Sequence, residues 1–266
     1  MAKYILFDTE TTGNQESDRI IQIGGMIIHE QEELQTGNND FDLGLFGYIE
    51  PKEEIEVYDD LCFTEVPISV EAMEVHNITP DLIVGKFPFI QTDFYKKLQT
   101  YNLPENYLIA HNIGFDLGML QKEGFENHYT LIDTFRCAKH LLPQMPYHRL
   151  QYLRYALDLY KIEQEEAQKL HIVIKAHDAI GDVLVMKLLL GKLVEIVKSN
   201  YPDIDPMEKL SQLTQTPVMM RTFKFGKYKE RLIEEIAHED PGYLTWMRNN
   251  LELDEDMKFT LDNYLH

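Results

Sequence analysis

Two cysteines in 266 residues, Cys62 and Cys137, are too few and too far apart for a disulfide framework or a zinc cluster, and they suit a reducing compartment. No run of 18 apolar residues occurs, so no transmembrane helix is expected. The chain passes from Met1-Ala2-Lys3 straight into a strand-like run, which leaves no signal peptide to read and makes the cytoplasm the expected location. Bases are scarce. Against 45 Asp and Glu stand 25 Lys and Arg, a formal net charge of −20 that repels polyanions at long range, so a nucleic-acid partner would have to be held locally. Internal repeats and low-complexity tracts are also missing, and with them any reading as a repeat array. What remains is a globular composition, 44% hydrophobic and 26% charged, suited to one sizeable domain and a small one. Much of the acid excess lies between Glu30 and Glu65, where 12 acids meet one base, Lys52. That segment reads as a solvated, partly loop-like excursion near a sheet edge and carries no assigned chemistry.

The most informative stretch is Tyr4-Ile5-Leu6-Phe7-Asp8-Thr9-Glu10-Thr11-Thr12-Gly13, in which four apolar or aromatic residues run into two carboxylates. Such a run predicts a buried strand. Side chains alternate along a strand, so Asp8 and Glu10 share a face at its end, and Gly13 closes the stretch with a turn. Two carboxylates aimed at one point suit a hard divalent cation, which takes oxygen ligands and leaves positions for phosphate and water. A lone Asp-x-Glu is more often a strand end with two solvated acids. A cation site therefore needs further acids elsewhere in the chain.

Strands and helices alternate onward. Ile20 to Ile28 reads as a second strand, Leu43 to Glu50 as a weaker third and Tyr107 to His111 as a short buried one. Helices are predicted over Ser69–Val75, Phe87–Leu98, Gly114–Gly124, Asp133–Leu142, Leu150–Tyr160 and Asp178–Val197. The alternation predicts an α/β or α+β domain of about 200 residues. In His111-Asn112-Ile113-Gly114-Phe115-Asp116 a strand gives way to a helix with Asp116 in its first turn, as an ordinary helix-starting acid would also stand. In Ala176-His177-Asp178-Ala179-Ile180-Gly181-Asp182 the long helix starts at an Asp178 cap, with His177 before it and Asp182 one turn inside. A His-Asp pair also occurs in metal-dependent phosphohydrolases, but no further histidines complete such a site.

Taken together, Asp8-Thr9-Glu10, His111-Asn112 with Phe115-Asp116, and His177 five residues before Asp182 resemble the three motifs of the DnaQ-like exonucleases with four acids and a histidine, in order and in spacing. Pro67 through Thr79 resembles the loop and helix before the second motif. Residues 219–265, from Met219-Met220-Arg221 through Asp240-Pro241-Gly242-Tyr243 to Tyr264-Leu265, resemble the C-terminal segment of the bacterial exodeoxyribonuclease X family. The resemblance implies a ribonuclease H-like mixed central sheet flanked by helices, with a small C-terminal module, laid out as an exonuclease domain at 1–199, a linker at 200–218 and the module at 219–266. It implies a 3′ to 5′ exonuclease acting on DNA 3′ ends in repair or end trimming. Two divalent cations, Mg²⁺ or Mn²⁺, would be held by Asp8, Glu10, Asp116 and Asp182, with His177 as the proton acceptor. Thr11, Thr12, Gly13, His76, Ile78, Asn112 and Phe115 would approach the terminal nucleotide.

Alternatives stay open at this point: an exoribonuclease could use the same five residues, and the fold could serve as a non-catalytic nucleic-acid or protein-binding module. In the tail, Arg221, Lys224, Lys227, Lys229 and Arg231 fall within eleven residues against Glu230 alone, interleaved with Phe223, Phe225 and Tyr228. This cluster suits phosphates and unstacked bases, as a DNA tether would, or it is a basic turn over the module's own aromatic core.

Overall fold

The computed structural model describes residues 2–29, 54–174 and 178–265. The strand expected at Leu43–Glu50 and His177 lie outside the described residues. Two compact units make up the chain, one of residues 1–134 with 149–192 and the other of 135–148 with 193–266.

In the first unit, β1 (Lys3–Thr11) pairs antiparallel with β2 (Ile20–His29), which pairs antiparallel with β3 (Glu54–Leu61). On its other edge β1 runs parallel to β4 (Tyr107–Ala110), and β4 to β5 (Thr130–Asp133), giving one mixed sheet in the order β3-β2-β1-β4-β5. β1 and β2 are the centre because their Ile, Leu and Phe side chains are wholly buried, whereas the edge strand β3 alternates Glu54, Glu56 and Asp59 with half-buried Ile55, Val57 and Tyr58. Those acids made this stretch read as loop. Helices α1 (Val70–His76), α2 (Pro80–Ile83), α3 (Asp93–Thr100), α4 (Ile113–Lys122), α6 (Leu150–Ala156) and α7 (Tyr160–Lys169) belong to this unit, with the first part of α8 (Ala179–Asn200). α3 starts later than the pattern predicted, since the Thr92 hydroxyl accepts from the Tyr95 N–H and caps it after a single 3₁₀ turn at Phe89–Gln91.

Two adjacent glycines decide where helices meet the sheet. Neighbouring strand residues point to opposite faces, so Gly24 and Gly25 open one gap on each. A Cβ on Gly25 would run into the Phe94 ring of α3, and one on Gly24 into the backbone of Ala179 and Ile180. Helices α3 and α8 therefore cover opposite faces, and the ribonuclease H-like arrangement of a mixed sheet flanked by helices is present.

The second unit is helical. It contains α5 (Thr134–Leu141) beyond its first residue, the end of α8, α9 (Pro206–Gln215), α10 (Ile233–Glu239), α11 (Pro241–Asn250) and α12 (Glu255–Tyr264). Residues 206–215, within the stretch read as a linker, are the helix α9, capped by the Asp205 carboxylate. Phe223, Ile233, Ile236, Leu244, Met247, Met257 and Leu261 form its core. Gly226 takes φ +79°, and a side chain there would strike the Tyr243 hydroxyl. Asp256 is 7% exposed and accepts from the Val218 N–H while pairing with Arg136 at 3.2 Å and Lys139 at 3.1 Å.

Candidate active site

Asp8 lies opposite Gly24 and Glu10 opposite Gln22 in the β1–β2 register, so both carboxylates stand on the face that Gly24 opens to the start of α8. Asp182 sits in the first turn of that helix, its backbone N–H donating to the Asp178 carbonyl at 3.1 Å. The Gln151 amide of α6 donates to its Oδ1 at 2.6 Å. Asp116, in the first turn of α4 and 4% exposed, accepts at one oxygen from both the Thr9 N–H (3.1 Å) and the Thr9 hydroxyl (2.7 Å). α4 starts where it does because Asn112 adopts the left-handed region (φ 72°) and its N–H donates to Asp133 at 2.9 Å, while the neighbouring His111 Nδ1 meets the Thr134 hydroxyl at 2.9 Å. The strand ends and helix starts that the motifs suggested thus converge around Asp8.

Their charges couple. Burial, then Asp116, Asp182 and Glu10, hold the Asp8 carboxyl well above the usual carboxylate range, although part of the residue reaches solvent. Glu10 is pushed up to about 8 by burial and then by Asp182, Asp116 and Asp178. Burial raises Asp116 to about 7 against the two Thr9 hydrogen bonds, with Asp133 adding to the rise. Such a cluster favours protons or cations.

Beside it opens a cleft of about 310 Å³ whose lining includes Glu10, Thr11, Gly13, Val75, His76 and Phe115. Phe115 is 41% exposed, so this ring is not core. His76 is buried with both ring nitrogens occupied: Nε2 donates to the Thr11 carbonyl at 3.2 Å and Nδ1 accepts from the Ile78 N–H at 2.9 Å, and burial lowers its affinity for a proton. Its ring joins α1 to the end of β1. Thr12 and Ile78 are placed elsewhere, Thr12 wholly buried with its hydroxyl donating to Asp18 at 2.7 Å, and Ile78 packed among Ile21, Ile68 and Ile83. Asn112 is exposed at the head of α4.

Residues 5–190 match the family described as Exonuclease, and residues 223–252 the family described as Exodeoxyribonuclease X-like C-terminal. The chain belongs to the exonuclease family. Among the relatives of this exonuclease is exodeoxyribonuclease 10 of Escherichia coli (strain K12), 30% identical over 203 residues that span 75% of this chain and 80% of that one. The PolC-type DNA polymerase III of Bacillus cereus is 26% identical over 70% of this chain but only 11% of its own length. A solved structure titled exonuclease X in complex with 5′ overhanging duplex DNA aligns with a TM-score of 0.49 at 20% identity, covering 79% of this chain and 99% of that one.

Exonucleases of this family generally use divalent metal ions, and the donor chemistry here fits them. Four carboxylates supply hard oxygen donors, and a fifth acid, Asp178, adds a buried Oδ2 that has no hydrogen-bond partner among the described residues. Among the described residues no three donors stand as a ready ligand set. The acids sense one another's charge without closing on one point, and Thr9 and Gln151 hold an oxygen of Asp116 and of Asp182 respectively. A cation bound among them would reverse their mutual repulsion. Sequence reasoning marks Asp178 as a cap only; its other oxygen accepts from Gln22 at 2.6 Å, a partner 156 residues away. No local pattern signals that bond, nor the ones from Thr9 and Gln151.

In the exonuclease's second unit the aromatic residues of the tail are divided. Phe223 and Tyr228 belong to its aromatic core, with Tyr228 and Tyr243 edge to face at 5.0 Å, whereas Phe225 is 45% exposed.

Proposed function

We propose that this chain is a metal-dependent 3′ to 5′ exodeoxyribonuclease that removes nucleotides from DNA 3′ ends, in repair or end trimming. The observation that carries the reading is the charge-coupled set Asp8, Glu10, Asp116 and Asp182, of which Asp116 is buried and the others partly so, beside an open cleft. The exodeoxyribonuclease relative and the matched C-terminal segment support DNA over RNA. Asp8, Glu10, Asp116 and Asp182 would hold two divalent ions, Mg²⁺ or Mn²⁺. Once bound, the ions would supply charge neutralisation at the phosphate and an acidified water. Asp116 keeps its carboxylate oriented through Thr9, and Asp182 through Gln151. Thr11 and Gly13 bring backbone and small side chains to the terminal sugar, and the exposed Phe115 ring stacks on its base. His177 accepts the proton of the attacking water. A cleft that takes one strand end has no means of reading sequence, so base preference is weak.

The test uses end-labelled DNA and RNA, single- and double-stranded, with Mg²⁺, against the Asp8→Asn variant. Laddering from the 3′ end of DNA that stops in the variant and with a chelator is the expected result. Equal degradation by the variant would refute the acid assignment, and faster degradation of RNA would refute the substrate class.

A further inference from the structure

The five basic residues of the tail do not present five free charges. Lys227 pairs with Asp240 at 3.2 Å and lies over the Tyr228 ring, Arg231 reaches Glu239 at 2.9 Å and Glu235 at 3.2 Å, and Lys229 stands 4.0 Å from Glu230. These three are neutralised within the tail itself. Arg221 and Lys224 form no ion pair among the described residues; Arg221 donates to the Pro143 carbonyl at 3.2 Å. Both line a hollow of about 120 Å³, closed on its other side by Lys139, Pro143, Met145 and His148. Lys139 is engaged with Asp256, so Arg221 and Lys224 are the charges the hollow offers.

A hollow of about 120 Å³ has room for a phosphate group. The guanidinium fork matches phosphate oxygens in pairs, an ammonium adds a point charge, and the proline and methionine walls suit the apolar edge of a sugar. In a chain of net charge −20, uncompensated cations around a concave surface are where a polyanion meets least repulsion. We propose that this hollow is a binding site for a backbone phosphate of the nucleic-acid strand being degraded, with Arg221 and Lys224 as its charged contacts. The identity of the anion as a strand rests on the exonuclease reading; the site itself rests on the hollow and its two cations.

Full-length protein in Ca²⁺, which occupies oxygen sites without supporting rapid cleavage, is titrated against fluorescein-labelled single-stranded oligothymidylate at several salt concentrations. R221Q/K224Q is compared with K227Q/R231Q, which removes the same charge from the internally paired group. Binding by R221Q/K224Q should weaken roughly tenfold, with the logarithmic salt slope flattened by about 1.4 units, about 0.7 for each cation withdrawn from a single strand's phosphates. K227Q/R231Q should keep the parent slope. An unchanged slope in R221Q/K224Q, or an equal loss in both variants, overturns the assignment. Hydrolysis of thymidine 5′-monophosphate p-nitrophenyl ester in Mn²⁺ separates the two readings, because this substrate carries a single phosphate and occupies the cleavage site alone. Equal kcat in parent and R221Q/K224Q is expected and confirms that the double substitution acts on binding. Absence of turnover in the parent would sink the exonuclease reading while leaving the binding result to stand on its own.

Discussion

Asp8 and Glu10 show how one strand end stores repulsion. An acid that stays protonated in the folded chain but ionises in the unfolded one costs stability as pH rises, because the unfolded state releases its proton first. For Glu10 that window runs from its ordinary 4.5 to about 8, and Asp8 shifts in the same direction. Melting temperature without metal should therefore fall as pH rises across this window, and Mg²⁺ or Mn²⁺ should restore it most at the alkaline end. Asp8→Asn should flatten the metal-free profile while abolishing cleavage; a profile as steep as the parent's would place the titrating charge elsewhere. Gln151 acts at one remove. Its bond to Asp182 is braced by Arg154, whose guanidinium donates to Gln151 Oε1 at 3.2 Å and to buried Glu163 at 2.6 Å. Supporting bonds of this kind are worth about 10–100-fold in metal affinity or activity. Gln151→Leu should raise the Mn²⁺ concentration needed for half-maximal rate by roughly tenfold, read from metal titrations of the rate, with little change in melting temperature.

At the scale of elements, Gly24 sets the height of α8 above the sheet, and with it the position of Asp182. Gly24→Val should force the helix start outward at a cost of about 1–3 kcal/mol. A displacement of about 1 Å can cost on the order of 100-fold in rate, so kcat should collapse in protein that still folds. Gly118→Ala makes the control, since nothing lies within 4 Å of a Cβ there and a mid-helix alanine stabilises by about 0.5–1 kcal/mol. Undiminished turnover in Gly24→Val would deny the helix start its role. Period-two alternation made Asp8 and Glu10 legible in the sequence as a pair sharing one face; helix-start chemistry alone marks Asp116 and Asp182 as ordinary first-turn acids, and the resemblance of the three motifs to the DnaQ-like exonucleases is what singles them out. Gly24 carried no such signal, its meaning being a contact with Ala179. β3 is obscured by its acids, which a half-covered edge strand tolerates, and β5 has no strand reading in the sequence, its last residue Asp133 being taken as the start of the helix that begins at Thr134. β4, as short as β5, is legible because its Tyr-Leu-Ile-Ala run is apolar throughout, whereas β5 is framed by Thr130 and Asp133.

Across the whole molecule, the net charge of −20 makes ionic strength a working variable: salt screens the long-range repulsion of DNA while weakening the local phosphate contacts. The rate on single-stranded DNA should pass through a maximum as salt rises, and a monotonic decline would mean that local contacts alone govern capture. Within the second unit, Asp256 joins α12 to α5 through Arg136 and Lys139. Asp256→Ala strands two cations and the Val218 N–H, and should destabilise this unit by roughly 3 kcal/mol, seen as proteolytic cuts confined to 135–148 and 193–265.

The same link has a temporal side. A ribosome delivers Lys139 more than a hundred residues before Asp256, a delay of roughly ten seconds at ordinary elongation rates. For that interval α5 exists without α12, and for the first part of it Cys137, whose thiol lies 3.2 Å from the Leu210 carbonyl in the finished protein, has no α9 to cover it either. The nascent chain therefore carries an adhesive segment in its middle until its last helix emerges, and a stop codon near residue 200 would leave that segment uncovered for the life of the protein.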